Sequence, residues 1–251
     1  MVSINYSGRT GNNIFQYVAA YIFAKKFNFK IINNILDNKF DLPSLENGIV
    51  GDIKIDVDDS NFMSLLESDS LESAHYRFIG YYQIKEFILK YRNEIKSLFK
   101  LDYENQNSDE VFVAYRIGDL EGLRQMLPIE YYQEALSRLN FKKGYITSDS
   151  PNHPNIIKLM SEFNLKIYNA SPLDKINFAK NFNNLVLSEG SFSWWMGFLS
   201  KAENVYYNER PRFWHGDMFV IPEWKALKYD WDLTCIGPNN NLKCNKIIKN
   251  L

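Results

Sequence analysis

Residues 185–198, LVLSEGSFSWWMGF, decide how the fold is read. Leu185, Val186 and Leu187 predict a buried strand, Glu189 and Gly190 a tight turn, and Ser191 the opening of a helix. In open α/β sheets, ligands bind in the crevice at the carboxyl ends of the strands. Ser191 and Ser193 would bring hydroxyls there, and the helix its free backbone N–H groups, which suits a phosphate. Trp194 and Trp195 are adjacent and cannot face the same side of a helix. At least one must meet solvent, a ligand or another domain. The plainer reading is a capped helix with both rings in the core.

The pattern around this stretch alternates between strands and helices. Strands are expected near residues 2–6, 29–32, 111–115, 145–147, 185–187 and 205–207. Helices are expected from about residue 14 to 23 (Ile14, Phe15, Val18, Ile22 and Phe23 at helical spacing), and over 87–99, 128–139, 156–163, 173–182 and 192–199. Pro128 would sit in the first turn of its helix. Residues 34–75 read as irregular, with Asp56, Asp58 and Asp59 as solvated loop residues. The polar stretch 104–110 suggests a boundary, giving an N-terminal α/β domain over 1–106 and a second over 107–220. Residues 221–251 would pack back on the first domain, with Trp214, Trp224 and Trp231 in the closing part of the chain. Such alternation implies parallel sheets covered on both faces.

Composition narrows the class. The chain has 251 residues, 45% of them hydrophobic and 24% charged, as in globular proteins with a sizeable core. Its formal net charge of −1 excludes a global basic field for nucleic acid. No apolar run is long enough to span a membrane, and the start reads as a strand rather than a leader, so a cytoplasmic location is expected. Cys235 and Cys244 are too few for a disulfide framework, and suggest free thiols in a reducing compartment. The aromatic content of 16% is high. It implies a Phe- and Tyr-rich core, with some rings free to meet the apolar face of a sugar. His75, His153 and His215 are isolated, without metal-ligand spacing.

Three further motifs lie where strands should end. GRTGNN, Gly8 to Asn13, has two glycines that let the backbone turn and approach a ligand. Arg9 could hold a phosphate, and Asn12 could cap the helix or bind a sugar hydroxyl. It lacks the Lys-Ser/Thr ending of a phosphate-binding P-loop, which argues against a nucleotide-dependent kinase. YRIGDL, Tyr115 to Leu120, puts Arg116 where its fork can grip a pyrophosphate, with Asp119 as either a partner or a base. TSD, Thr147 to Asp149, offers a carboxylate for ribose or base, or a cap for the next turn.

These residues resemble the bacterial α-1,2-fucosyltransferases, an inverting family that uses GDP-fucose. GRTGNNIFQYVAAYIFAKKF is similar to that family's opening Gly-x-Leu-Gly-Asn-Gln-x-Phe-Gln-Tyr, and IGYYQIKEFI to its aromatic-Gln segment. AYRIGDL and LPIEYYQEAL resemble its His-x-Arg-Arg-Gly-Asp and Leu-Pro-x-x-Tyr-Tyr blocks. TSDS resembles its Ser-Asp-Asp, and SEGSFSWWMGFLS its Ser-Ser-Phe-Ser-Trp-Trp block. The family's His falls on Ala114, its second Arg on Ile117, the second Asp of Ser-Asp-Asp on Ser150 and the Gln of the opening motif on Asn13.

The resemblance implies two Rossmann-like domains facing across a cleft in a GT-B-like arrangement, with no metal and no cofactor. The substrates would be a nucleotide-sugar donor and an oligosaccharide or glycan acceptor. Arg116 would grip the donor diphosphate; Ser191, Phe192 and Ser193 would line it. Gly8, Arg9, Gly11 and Asn12 would face the sugar and leaving group. Asp149 would hold the nucleoside. Asp119 is the first choice of base and Glu189 the second, although Glu189 reads equally as an exposed turn residue. A rhamnose-type donor, or an inactive sugar-nucleotide-binding module, are the alternatives.

Overall fold

Two parallel sheets organise the chain. The computed structural model describes residues 1–32, 36, 40, 42–99, 107–209 and 218–230. The first sheet has four strands, β1 (Val2–Ile4), β2 (Ile31–Ile32), β3 (Lys54–Val57) and β4 (His75–Phe78), in the order β2-β1-β4-β3. The second has six: β5 (Asn107–Tyr115), β6 (Lys143–Ser148), β7 (Leu165–Ile167), β8 (Phe182–Val186), β9 (Asn204–Asn208) and β10 (Lys225–Leu227). Their order is β10-β9-β8-β5-β6-β7. Counted from β5 and read from the β7 edge, this is 3-2-1-4-5-6, the order of a dinucleotide-binding Rossmann sheet. Its topological switch point lies between β5 and β8.

Among the described residues the helices are α1 (Thr10–Lys26), α2 (Phe62–Glu67), α3 (Lys85–Lys90), α4 (Arg92–Leu98), α5 (Gly118–Gly122), α6 (Ile129–Ser137), α7 (Pro154–Glu162), α8 (Pro172–Ala179) and α9 (Ser191–Leu199). None is long and apolar enough to cross a membrane.

The central pair is α1 and α9. Helix α1 is buried on every side from Ile14 to Ala24, where Gln16 alone interrupts the apolar run. Both tryptophans of α9 are fully buried. Trp195 turns to the N-terminal half, with its ring centroid 4.5 Å from Phe15 and 5.6 Å from Phe99, and its Nε1–H donates to Gly11 O at 3.0 Å. Trp194 stacks on Phe198 at 4.6 Å and donates to Met218 O at 3.2 Å. Each ring thus buries its surface and satisfies its N–H, as large aromatic residues in a core must. One hydrophobic cluster runs through the first sheet, α1, α9 and one face of the second sheet. A second lies under α6 and α7.

The structure corrects several sequence expectations. Residues 34–75 are not simply irregular, since β3, α2 and the start of β4 lie within them. Strand β3 is a sheet edge with Lys54 and Asp56 exposed, alternating with Ile55 and Val57. Strand β7 is another short edge. The helix expected over 87–99 is broken at Tyr91 into α3 and α4. Helix α8 ends at Ala179, and β8 already begins at Phe182. Pro128 precedes α6 as its N-cap residue rather than entering the first turn. Of residues 221–251, Lys225–Leu227 join the second sheet beside β9 instead of crossing to the first. Trp224 packs near Trp194 and Tyr207. Glu223 reaches back to Arg92 of α4. Trp214, His215, Trp231, Cys235 and Cys244 lie outside the described residues, as do residues 104–106 of the expected boundary at 104–110, whose remainder opens β5.

Candidate functional site

Loops from the carboxyl ends of both sheets enclose a cavity of about 630 Å³, within the usual range for small-molecule sites. Gly8, Arg9, Gly11, Asn12, Arg116, Asp119, Asp149, Glu189, Ser191, Phe192 and Ser193 all line it. The residues assigned to the donor and acceptor site from the sequence therefore line one cavity.

The β5 and β8 loops meet at the switch point. Gly190 precedes α9 with φ 103° and ψ 152°, and the helix begins without a side-chain cap. Its first N–H groups and positive dipole end therefore face the cavity. Arg116 lies directly against this turn; a Cβ on Gly190 would sit 2.6 Å from Arg116 Nη1. The guanidinium grips Asp119 with two hydrogen bonds, Nε to Oδ1 at 3.2 Å and Nη2 to Oδ2 at 2.7 Å. Arg9 Nη1 approaches the same carboxylate at 3.4 Å and Asp149 at 4.0 Å. Partial burial acts to raise the Asp119 pKa, but the hydrogen bond and charge of Arg116 and the charge of Arg9 prevail. The carboxyl is held below the ordinary aspartate range.

Ser188, which the sequence reading passed over, ties these loops together. Its Oγ accepts from Arg116 N at 2.8 Å and from the Tyr132 hydroxyl at 3.0 Å. Its N–H donates to Ser193 Oγ at 2.8 Å. The neighbouring Tyr131 hydroxyl donates to Leu187 O at 2.7 Å. The paired tyrosines of LPIEYYQEAL thus fix the end of β8 from below. Burial pushes the Tyr132 phenol well above its ordinary pKa, so it stays protonated and remains a donor.

The α1 loop arrives from the other sheet. Gly8 adopts φ +75°, and a Cβ there would meet Asn12 Nδ2 at 2.2 Å. Gly11 does more than bend the chain. A Cβ on it would lie 2.3 Å from Phe192 N and 2.7 Å from Phe192 Cα, so its bareness lets α1 and α9 touch backbone to side. Asn12 is not a cap, because it lies inside α1, whose N-cap residue is Arg9. Its Oδ1 accepts from Gln83 Nε2 at 2.9 Å and Ser191 Oγ at 2.6 Å, linking three loops. Asn13 and the fully buried Gln16 brace Ser7.

Three other expectations change. The Ser191 hydroxyl donates to Asn12 Oδ1 and the Ser193 hydroxyl accepts from Ser188 N, so both are already engaged within the protein. Asp149 caps the neighbouring loop rather than its own turn, with Oδ1 accepting from Ile117 N at 2.8 Å. Glu189 is buried, at 9% exposure, and not an exposed turn residue. The acidic trio is not merely solvated either, since Asp59 accepts from the backbone N–H of Tyr81 and Tyr82 and steadies the β4 loop. Tyr81, Gln83 and Lys175 also line the cavity. The first two stand in the quoted aromatic-Gln segment; nothing in the sequence marks Lys175.

Comparison with known families gives one match. The family model described as Glycosyl transferase family 11 matches residues 71–231, well over half of the chain. The match begins after the α1 loop and covers the β5, β6 and β8 loops. A search of curated proteins gives no match.

Proposed function

Because the chain belongs to glycosyl transferase family 11, and so is a glycosyltransferase, we propose that it is an inverting fucosyltransferase. It would move L-fucose from GDP-fucose to a saccharide hydroxyl in α-1,2 linkage. The observation that carries this reading is the Arg116 fork held against the uncapped N-terminus of α9 at the β5/β8 switch point. Both are donors for a diphosphate.

In the reaction the acceptor oxygen attacks the anomeric carbon from the face opposite the diphosphate. The bond from carbon to phosphate oxygen breaks, and the nucleoside diphosphate departs with the electron pair. The transition state is oxocarbenium-like, by analogy with glycoside cleavage. Arg116 and the α9 N–H groups stabilise the charge that grows on the leaving group. The diphosphate competes with Asp119 for Arg116. Once Arg116 turns to phosphate, Asp119 keeps Arg9, its pKa climbs toward the ordinary range, and it can take the acceptor proton more readily. Glu189 is the second candidate for that proton.

Ala114 favours one further reading. It lines the cavity at the end of β5 with only a methyl group, so a different nucleotide-deoxyhexose, such as a rhamnose donor, is the alternative.

Calorimetric titration with GDP, UDP and GDP-fucose, followed by transfer assays on saccharide acceptors, tests the proposal. Arg116→Ala should weaken GDP binding by about 10- to 150-fold, the loss of a charge-assisted hydrogen bond. Binding of UDP compounds alone would discard GDP-fucose. Binding without turnover on any acceptor or water would favour an inactive module.

A further inference from the structure

Most polar groups around the cavity already answer one another: Arg116 and Arg9 face Asp119, Asp149 holds the Ile117 N–H, and Ser191 holds Asn12. Two groups on one wall do not. Thr147 lines the cavity, and its Oγ1 is buried without a hydrogen-bond partner. Lys175, half-buried on α8, also lines it, and its ammonium has no hydrogen bond or ion pair among the described residues. Burial holds its pKa below the ordinary lysine range, while the charge of Asp149 acts the other way. A buried hydroxyl without a partner and a partly desolvated ammonium are both costly. A ligand rich in acceptor oxygens relieves both.

Their position says which part of a ligand that is. Thr147 of β6 stands in register beside Ala114 of β5, and both line the cavity. Ala114 contributes only a methyl group to this wall, and Lys175 of α8 lines the same cavity. Thr147 and Lys175 stand on β6 and α8, whereas the Arg9–Asn12 loop is tied to α9 through Asn12 and Ser191, and the Arg9 side chain reaches toward Asp149 at 4.0 Å. A donor whose diphosphate meets Arg116 and whose sugar faces Asn12 leaves this wall for its nucleoside. Rotation about the Thr147 Cα–Cβ bond exchanges hydroxyl for methyl and so can present Oγ1 to the cavity.

We propose that Thr147 and Lys175 form the base-recognising subsite of the donor, Lys175 donating to a ring carbonyl oxygen and Thr147 pairing with the polar edge of the nucleoside. This rests on the nucleotide-sugar reading above. Guanine and uracil carry a suitable carbonyl. Adenine carries an amino group at the corresponding edge, which an ammonium repels. The subsite therefore sets the choice of base, where Ala114 supplies no polar group.

The test is calorimetric titration of the intact chain and of Lys175→Met and Thr147→Val with GDP, UDP, ADP and inorganic pyrophosphate. Lys175→Met should weaken the better of GDP and UDP by about tenfold or more, the cost of one charge-assisted hydrogen bond. Its affinity for pyrophosphate should not change, and the preference over ADP should collapse. Thr147→Val should raise the melting temperature of the unliganded protein, since an unpartnered hydroxyl is removed, yet weaken the same nucleotide several-fold. A merely structural role cannot move those two readouts in opposite directions. Equal loss for pyrophosphate would assign Lys175 to the phosphates and overturn the proposal, as would unchanged nucleotide binding in both variants. Should Lys175→Met fail to fold, Lys175→Gln takes its place. Wild-type protein that binds neither GDP nor UDP would instead overturn the underlying nucleotide-sugar reading.

Discussion

Replacing Gly190 by alanine isolates the link between backbone shape and chemistry. The residue stands at φ 103° and ψ 152°, close to a region that only glycine enters freely, and a side chain there costs about 1–3 kcal/mol. In a chain of this size each kcal/mol lowers the melting temperature by roughly 2–4 °C, so a fall of about 2–12 °C is expected. The new Cβ would also stand 2.6 Å from Arg116 Nη1. The tip of an arginine moves easily, so this contact adds little strain, but that tip is the proposed diphosphate grip. Gly190→Ala should therefore lose GDP affinity by about tenfold or more, as a displaced charge-assisted hydrogen bond does. Differential scanning calorimetry and titration read the two effects separately. Gly122→Ala is the control, because a Cβ at Gly122 meets nothing within 4 Å. It should be neutral or stabilising by up to about 1 kcal/mol. If Gly190→Ala behaves like Gly122→Ala in both assays, the account of this turn is wrong.

Three other substitutions probe the same frame. Gly11→Ala gains up to about 1 kcal/mol of helix propensity but drives a Cβ to 2.3 Å from Phe192 N, an overpacking worth about 1–3 kcal/mol or more; a urea midpoint that rises instead of falling would refute the α1–α9 contact. Tyr132→Phe removes the hydroxyl that braces buried Ser188 and should cost about 1–2 kcal/mol, so an unchanged unfolding curve would deny the brace. Asp119→Asn removes the competitor for Arg116, so GDP should bind more tightly while transfer slows; weaker GDP binding would contradict the competition. The pH dependence has a definite sign as well. The Asp119 pKa is lowered by folding, so its stabilisation is present above the unfolded value of about 4 and is lost as pH falls through the lower folded value. An acid melt of Asp119→Asn should lack that step, and an identical acid profile would count against it.

How much of this was legible in the sequence depended on whether a residue's partner was near in sequence. The turn at Glu189–Gly190 and the helix from Ser191 followed from local pattern, and so did the placing of Arg116 just beyond β5. Asn12 lines the cavity, and of the two roles read for it the structure removes the cap. Its partners, Gln83 and Ser191, are 71 and 179 residues away, and only the packing of α1 on α9 brings them together. Trp195 shows the same effect, since adjacency required separate directions for the two rings but could not name Gly11 O as a partner. Ser188 drew no assignment because its role arises from Tyr132, 56 residues earlier. Strand β3 was legible and was missed: Ile53, Ile55 and Val57 alternate with Lys54, Asp56 and Asp58 as in a half-buried strand, but the alternation is short and its acidic residues read as a loop. Lys175 left no signal because a lone lysine on an amphipathic helix reads as solvated until its surroundings are known.

The charges around the cavity explain why the arginine fork is tethered at all. Arg9, Arg116 and Lys175 stand against Asp119, Asp149 and Glu189, three formal cations to three carboxylates. A site for a diphosphate could have been left strongly positive, and it would then have held the nucleoside diphosphate product as firmly as the donor. Here the surplus positive potential comes from the uncapped ends of α1 and α9, each worth about half a unit charge and fixed in space. The mobile charge, Arg116, carries its own counter-ion within reach. On the proposed reaction, Asp119 gives up that arginine when the donor enters and reclaims it when the product leaves. Uniform binding of ligand would deepen the ground state without speeding the step. An internal competitor limits that deepening, while the two helix ends and Arg116 still face the oxygen on which charge develops.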